Sequence, residues 1–273
     1  MIDPAALAGY EGHPDRVGFF TDTSVCIGCK ACEVACKEWN GVPDDGMNFL
    51  AGMSYDHTGA LGADTWRHVA FIERPTRDAT SDSAGVRWLM SSDVCKHCTS
   101  AACLDVCPTG ALIRTEFGTV VVQQDICNGC GYCVPACPFG VIDKREADGR
   151  VWKCTLCYDR LRDGMEPACA QACPTKSIQF GPLGELRARA ASRIDKLHAA
   201  GVDEARLYGD DPDDGVDGFG AFFLLLDEPE VYGLPPDPVC TTRDAGRMWR
   251  AVGAAAVAFT ATIVGAFVGR GAD

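Results

Sequence analysis

Cysteine is the residue type whose number and spacing in this sequence most clearly predict chemistry. The chain contains 17 cysteines among 273 residues. Sixteen of them form four groups of four: Cys26, Cys29, Cys32 and Cys36; Cys95, Cys98, Cys103 and Cys107; Cys127, Cys130, Cys133 and Cys137; and Cys154, Cys157, Cys169 and Cys173. Crowded thiols of this kind indicate metal binding, because thiolates are ligands of zinc and of iron–sulfur centres.

The spacing within the groups favours iron–sulfur clusters. The first and third groups have the pattern C-x2-C-x2-C-x3-C of bacterial ferredoxins. The second group lengthens the middle gap to four residues, and the fourth lengthens it to eleven. In two-cluster ferredoxins, three thiolates of a run bind one cluster and the fourth, which we expect on a following helix, binds the neighbouring cluster. Four motifs therefore predict four [4Fe–4S] clusters in two pairs.

Two other uses of cysteine compete with this interpretation. A zinc site needs only two C-x2-C pairs or a mixture of cysteine and histidine, so a third cysteine close by is surplus. Zinc fits best at the loosened fourth motif. Disulfides are disfavoured because crowded cysteines bridge badly and because the first twenty residues lack the pattern of a secretory signal. Cys240 stands alone, and we expect an isolated thiol, either packed or facing solvent.

Short elements must position the motifs. Proline follows the last cysteine of three motifs, at Pro108, Pro138 and Pro174, whereas Lys37 takes this place in the first. An apolar pair, a glycine-containing turn and a second β-prone run follow the second and third motifs, which predicts hairpins. The repeated unit is a cysteine loop, a short helix and a hairpin, as in a ferredoxin module. Spacing alone leaves both nested and sequential pairing of the motifs open.

The remaining regions have the patterns of ordinary folded segments. Residues 182–200 predict an amphipathic helix with one apolar face, formed by Leu183, Leu186, Ala190, Ile194 and Leu197. Residues 210–218 form an acidic loop, and 221–227 predict a buried strand. With 25 basic and 38 acidic side chains and a net charge of −13, the chain is a poor candidate for nucleic-acid binding. It lacks phosphate-loop, dinucleotide and zinc-protease motifs. Its sequence also sets apart no acid–base pair and no substrate-pocket signature, so we expect an electron carrier and not a catalyst.

The C-terminal region predicts a membrane anchor. Residues 251–269 carry no charge, and they are bracketed by Arg250 and Arg270 with Trp249 at one edge. Nineteen residues of helix reach roughly 28 Å, about the thickness of a bilayer core. A buried core helix is the alternative interpretation.

The sequence around the motifs resembles the iron–sulfur β subunits of membrane-bound respiratory formate dehydrogenases of the N and O types. The resemblance runs from about residue 17 to the C-terminus, through "DTSVCIGCKACEVACKEWN", "CNGCGYCVPACPFG", "RVWKCTLCYDR", "EPACAQACPT" and "EVYGLPPDP". The four-motif pattern is shared with β subunits of other molybdopterin enzymes, such as polysulfide, thiosulfate or sulfoxide reductases, which remain the alternative. "KEWN", "YGLPPDP" and the apolar tail are more specific to the formate branch.

The resemblance implies a nested pairing of the motifs. The four ligand sets would be Cys26, Cys29, Cys32 and Cys173; Cys36, Cys154, Cys157 and Cys169; Cys95, Cys98, Cys103 and Cys137; and Cys107, Cys127, Cys130 and Cys133. The fold would be α+β, with two bis-[4Fe–4S] ferredoxin-like modules and one C-terminal transmembrane helix. The expected segments are 1–50 and 147–181 (the two halves of the outer module), 51–92 (an insertion), 93–146 (the inner module), 182–247 (an extension) and 248–270 (the anchor).

The resemblance also implies partners and a location. The partners would be a molybdenum- or tungsten-pterin catalytic subunit and a membrane-embedded, quinone-linked subunit, with membrane lipid around the anchor. By this resemblance the cluster domain lies on the extracytoplasmic face, exported together with a signal-bearing catalytic subunit. The arginines near the span favour the cytoplasmic face instead, because three precede it and one follows: Arg243, Arg247, Arg250 and Arg270.

Several polar residues lie next to predicted ligands. His97 sits inside the second motif, and we expect a hydrogen-bonding neighbour of a cluster and not a ligand. Four lysines adjoin ligands and either raise cluster potentials by their charge or are simply exposed: Lys30, Lys37, Lys96 and Lys153. A colourless zinc-binding assembly scaffold is the interpretation outside the redox class.

Overall fold

The structure, a computed structural model, describes residues 2–46, 55–75 and 85–269. The chain divides into two units, Met1–Cys240 and Thr241–Asp273. The first unit mixes short helices with small sheets, which confirms the predicted α+β class, and the second contains one long helix.

The described residues form eight α-helices and ten strands. The helices are α1 (Pro4–Leu7), α2 (Ala31–Asn40), α3 (Ala102–Asp105), α4 (Cys133–Ala136), α5 (Tyr158–Arg162), α6 (Ala168–Gln171), α7 (Leu183–Ala199) and α8 (Ala245–Gly269). The strands are β1 (Val17–Asp22), β2 (Arg67–Pro75), β3 (Val86–Val94), β4 (Leu112–Arg114), β5 (Val120–Val122), β6 (Asp143–Lys144), β7 (Val151–Trp152), β8 (Ile178–Pro182), β9 (Arg206–Tyr208) and β10 (Ala221–Leu225).

A four-stranded sheet with the order β8-β1-β10-β9 forms one core of the first unit. β1 pairs in parallel with β10 and antiparallel with β8, while β9 pairs antiparallel with β10. Every residue of β10 is buried, which confirms the buried strand predicted at 221–227, although the strand ends at Leu225. Phe20 of β1 stacks on Phe222 of β10 with ring centroids 5.2 Å apart. Aromatic and β-branched residues favour such strands because they pack well on a pleated surface.

Helix α7 packs its apolar face into the same core and confirms the helix predicted at 182–200. Leu183, Leu186, Ala190 and Leu197 are buried, as the helical spacing predicts. Glu185 lies in the first turn and Lys196 in the last, where each opposes the partial charge at that helix end.

Two small hairpins follow the second and third cysteine motifs, as predicted. β4 pairs antiparallel with β5, and β6 pairs antiparallel with β7. The apolar pair Val141-Ile142 lies just before β6 and is buried. The hairpins therefore cover the cysteine loops with apolar side chains.

The insertion predicted at 51–92 contains a two-stranded antiparallel ribbon that the sequence did not lead us to expect. β2 pairs with β3 from Arg67 opposite Val94 to Pro75 opposite Val86. The ribbon is buried near Arg67 and Val94 and exposed near Pro75 and Val86. Its buried end therefore brings residues of the insertion among the motifs.

One expectation about the motifs is wrong for three of them. The last cysteine lies within a helix only in the first motif, where Cys36 is part of α2. In the other motifs α3, α4 and α6 end before Cys107, Cys137 and Cys173. The physical reason is the proline that follows each of these three cysteines, since the residue before proline is pushed out of the helical conformation. Lys37 imposes no such limit, so α2 continues to Asn40 and ends at Gly41, with φ of 57°.

The second unit consists mainly of α8. The stretch Ala245–Phe267 is long and apolar enough to cross a membrane, and at 1.5 Å per residue it spans roughly 34 Å. The hydroxyls of Thr260 and Thr262 donate to carbonyls one turn earlier, at 2.8 and 2.9 Å, so neither needs a water partner. Arg270, predicted to flank the span, lies outside the described residues.

The close packing of β1 gives a test of the sheet. Gly18 and Gly181 are partners in the register of β1 and β8. A Cβ at Gly18 would lie 1.9 Å from the carbonyl oxygen of Gly220, whereas a Cβ at Gly181 would meet nothing within 4 Å. We expect G18A to destabilise the fold by about 1–3 kcal/mol or more and to lower the apparent Tm by several degrees, and G181A to leave it within about 1 kcal/mol of the parent.

Thermal unfolding of the cluster-loaded chain, followed by circular dichroism at one scan rate, measures both variants. Equal Tm values for G18A and G181A would contradict the described sheet.

Candidate metal centres

No disulfide links any of the 17 cysteines, all of which lie in the described ranges. The thiols instead gather into four sets, which we call sites 1 to 4. Site 1 contains Cys26, Cys29, Cys32 and Cys173; site 2 contains Cys36, Cys154, Cys157 and Cys169; site 3 contains Cys95, Cys98, Cys103 and Cys137; and site 4 contains Cys107, Cys127, Cys130 and Cys133.

Site 1 surrounds a cavity of about 290 Å³ of empty space, and all four of its thiols line this cavity. The loop before α2 supplies two of them, α2 supplies Cys32, and the segment after α6 supplies Cys173. The backbone N–H of Ile178 donates to Cys173 Sγ at 3.5 Å. Burial raises the pKa of Cys26, and the nearby Cys173 raises it further. Two segments far apart in the sequence therefore meet around one cavity.

Site 2 joins α2 to the fourth motif. Burial raises the pKa of Cys36 well above its usual range, and the other three thiols of the site add to this increase. The amide nitrogen of Asn40 lies 3.8 Å from Cys36 Sγ and 3.7 Å from Cys157 Sγ, so one side chain hydrogen-bonds both thiols. The N–H of Leu156 donates to Cys154 Sγ at 3.3 Å. This gives a structural role to the asparagine of the "KEWN" segment.

Site 3 surrounds a second cavity, with about 430 Å³ of empty space. All four thiols of the site line it, together with Lys96, His97 and Cys240. Burial raises the pKa of Cys98 well above its usual range, and the other thiols of the site raise it further. Cys240 is 4% exposed, so of its two expected environments the packed one is confirmed.

Site 4 is formed by the third motif and the last cysteine of the second. Burial is the largest cause that raises the pKa of Cys133 to about 11, and the other three thiols of the site contribute to the increase. The N–H of Val151 donates to Cys127 Sγ at 3.5 Å. Gly129 has φ of 71°, and a Cβ there would lie 2.2 Å from the carbonyl oxygen of Gly149, so glycine is needed for the loop to approach the second hairpin.

The four sites are connected in a row by neighbouring thiols. Besides burial and the groups of their own site, thiols across a site boundary raise the pKa of three cysteines. Cys169 of site 2 raises the pKa of Cys32 of site 1, and Cys95 of site 3 raises that of Cys154 of site 2. In the same way, Cys133 of site 4 raises the pKa of Cys103 of site 3. The order is therefore site 1, site 2, site 3 and site 4.

The donor chemistry of these sites fits iron–sulfur clusters. Each site offers four thiols, and backbone N–H groups donate to sulfur at sites 1, 2 and 4. Among the described residues, no group of three or more His, Cys, Asp or Glu side chains already has the geometry to hold a single metal ion. The pKa of Cys154 is raised to about 12, mainly by burial, so this thiol is charged at neutral pH only when metal compensates for its lost hydration.

The four lysines beside the ligands differ in their surroundings. Lys30 pairs with Glu33 and Asp56, and Lys37 pairs with Asp45, and both lysines are about one quarter exposed. Lys96 is fully buried and pairs with Asp93. Lys153 is also buried, but its described hydrogen bonds go to the carbonyl oxygens of Val120 and Cys154. Simple exposure, the alternative expectation, is therefore wrong for Lys96 and Lys153.

His97 is buried beside the cavity of site 3. Its Nδ1 accepts a hydrogen bond from the N–H of Val120 at 3.1 Å, so the ring proton of the neutral histidine lies on Nε2. Nε2 has no protein partner among the described residues. Burial, with Lys153 next in importance, holds the pKa of His97 well below its usual range. The ring is therefore neutral, and its expected role as a hydrogen-bonding neighbour of a cluster stays a prediction.

Sequence reasoning missed Arg67. Its side chain is 1% exposed, and its Nη2 donates to Cys169 Sγ at 3.3 Å. Its Nη1 donates to the carbonyl oxygen of Ser92 at 3.1 Å, and Ser92 Oγ lies 3.2 Å from Cys32 Sγ. Both residues lie in the ribbon of β2 and β3, in a region without a cysteine motif, so nothing local in the sequence marks them.

Comparison with known proteins identifies the family. Two models of 4Fe-4S dicluster domains match residues 25–111 and 86–183, which together contain all four motifs. The chain is 40% identical over 271 residues to the nitrate-inducible formate dehydrogenase iron–sulfur subunit of Escherichia coli K12, covering 97% of this chain and 87% of the relative. It is 39% identical over 254 residues to the formate dehydrogenase-O iron–sulfur subunit of the same organism, covering 91% and 80%.

A shorter match reaches the B subunit of the anaerobic dimethyl sulfoxide reductase of Escherichia coli K12. It is 38% identical over 172 residues and covers 63% of this chain and 76% of the relative. The formate dehydrogenase subunits thus match over much more of the chain. The dicluster models and the sixteen motif cysteines fit four [4Fe–4S] clusters in an electron-transfer component without its own catalytic centre. The chain belongs to the family of formate dehydrogenase iron–sulfur subunits.

Proposed function

We propose that this chain conducts electrons in a formate dehydrogenase complex, between a molybdenum- or tungsten-pterin catalytic subunit and a membrane-embedded, quinone-linked subunit. The observation that carries the proposal is the row of four thiol sets joined by neighbouring thiols from site 1 to site 4. When bound, [4Fe–4S] clusters supply one-electron transfer. The role of this chain is to hold the clusters close together and to exclude water from the path between them.

In this proposal each site binds one cluster, so all sixteen motif cysteines are ligands in the nested arrangement. Two observations support it. The cavities at sites 1 and 3 are each lined by three cysteines of one motif and the last cysteine of another. The thiols that raise the pKa of Cys36 and Cys133 also belong to nested sets. Sites 1 and 2 would form the outer module (1–50 with 147–181), and sites 3 and 4 the inner module (93–146).

The two ends of the row are the places where we expect partners to dock. Site 1 contains Cys29 and site 4 contains Cys130, and these two are the exposed cysteines of the chain. Apolar side chains beside them are also exposed, with Ile27 at 58% and Tyr132 at 63%. Apolar and aromatic side chains of this kind are common at protein interfaces. Electrons would therefore enter at one end of the row and leave at the other.

We further propose that α8 anchors the chain in the membrane and that the unit with the thiols lies on the extracytoplasmic face. The exposed apolar side chains of Val257, Phe259 and Phe267 support the anchor. Export with a catalytic subunit, as the family resemblance implies, supports the outer face, although the arginines before the span favour the inner one.

Protease added to intact spheroplasts should digest the first unit. Protection of the first unit would show that it lies in the cytoplasm.

The central test uses the complex purified without oxygen from native membranes in mild detergent. We expect about 16 irons in this chain, four for each [4Fe–4S] cluster, and [4Fe–4S] EPR signals that appear on addition of formate. Acetate, a carboxylate without a transferable hydride, is the control and should produce none. The measurement needs an iron count corrected for the partner subunits and spectra before and after each addition.

Full iron without a response to formate would contradict the formate assignment and move the chain to another molybdopterin oxidoreductase. Little iron, or zinc in its place, would contradict the cluster assignment itself.

A further inference from the structure

Two buried cations adjoin site 2, and neither has a carboxylate partner among the described residues. Arg67 lies between sites 1 and 2, and Lys153 lies between sites 2 and 3. We propose that Arg67 raises the reduction potentials of the clusters at sites 1 and 2, and that Lys153 does the same at sites 2 and 3. This inference rests on the proposed function, since it needs clusters at these sites.

The position of Arg67 is the strongest support. Its guanidinium contacts Cys169 of site 2 directly and reaches Cys32 of site 1 through Ser92. It also lies over the ring of Phe19, 4.8 Å from the centroid, which excludes water from that side. Its Nε has no hydrogen-bond partner among the described residues. An N–H donor is therefore left over, buried between two thiol sets.

The charge of Arg67 needs a counter-charge. A buried, unpaired guanidinium is strongly unfavourable. Among the described residues, the ionisable groups that the guanidinium reaches by hydrogen bonds are Cys169 of site 2 directly and Cys32 of site 1 through Ser92. The negative charge that balances this arginine is thus that of the two cluster sites. Because Arg67 contacts site 2 directly and site 1 through Ser92, its charge affects the clusters of both sites.

Lys153 repeats the arrangement at the next boundary. Its ammonium donates to the carbonyl oxygens of Val120 and Cys154, which are neutral acceptors. Lys153 lines the cavity of site 3 together with the four thiols of that site, and its bond to the carbonyl oxygen of Cys154 places it beside site 2 as well. Site 2 therefore has a cation on each side.

The consequence concerns reduction. An electron added to a cluster increases its negative charge, and a cation nearby in a low-dielectric surrounding stabilises the reduced form more than the oxidised form. Lys37 provides the contrast, because its charge is balanced by Asp45 and is partly exposed to water. The pairing, and not mere proximity to a ligand in the sequence, decides which cations act.

The test is an EPR-monitored redox titration of the purified complex carrying R67Q, R67K, K153M or K37Q. We expect R67Q to lower the potentials of two of the four signals, each by about tenfold or more in the reduction equilibrium constant, which is about 59 mV for a one-electron couple. K153M should lower the reduction potentials of two signals, one of which is also lowered in R67Q. In R67K and in K37Q, the reduction equilibrium constant of each signal should stay within tenfold of its value in the parent.

Several outcomes would overturn the inference: unchanged potentials in R67Q with all clusters present, an equal shift of all four signals, a shift in K37Q as large as in R67Q, or a failure of R67K to restore the potentials. If R67Q cannot hold its clusters, the reduction potentials of R67K and K153M test the inference instead. The parent complex separates the two proposals, because its iron count and its number of signals test the clusters independently of any shift.

Discussion

Fourteen of the sixteen motif thiols are partly or fully buried, and the rest of the structure depends on the cost of charging thiols in surroundings that contain little water. Burial raises the pKa of Cys32 and Cys133 to about 11 and of Cys103 and Cys154 to about 12, so without metal these thiols are protonated at neutral pH. Metal binding therefore releases protons and contributes to folding at the same time. Around the cysteine motifs, where the helices are short and the strands have two or three residues, this coupling adds to the stability that the buried apolar side chains provide.

The same cost explains where the other charges lie. N–H groups of the backbone donate to sulfur at three of the sites, and Asn40 donates to two thiols at once. Cations at the periphery are neutralised by carboxylates, as with Lys30 and Lys37. Arg67 and Lys153 are different, because neither has a carboxylate partner among the described residues and both lie beside the thiol sets. The ribbon of β2 and β3 thus contributes a charge to the row of sites, although it contributes no ligand.

Spacing and proline predict much of the architecture, because both act locally. The four motifs, the hairpins after two of them, α7 and the buried strand β10 all follow from patterns within a few residues. Pro108, Pro138 and Pro174 could have predicted the ends of α3, α4 and α6, whereas the ferredoxin pattern led us to expect the last cysteine of each motif on a helix. Arg67 and Ser92 could not be predicted, because their contacts with Cys169 and Cys32 join segments far apart in the sequence. Spacing leaves the pairing of the motifs open for the same reason.

The account rests most heavily on the claim that a motif shares its cysteines between two clusters. The most direct measurement compares the EPR spectra of the reduced complex carrying C29S, C36S or C157S. Serine at Cys36 and at Cys157 should disturb the same signal, because both belong to site 2, while C29S should disturb a different one. This comparison needs no earlier assignment of the signals. If C36S and C29S disturb the same signal and C157S another, each motif binds its own cluster and the nested arrangement is wrong.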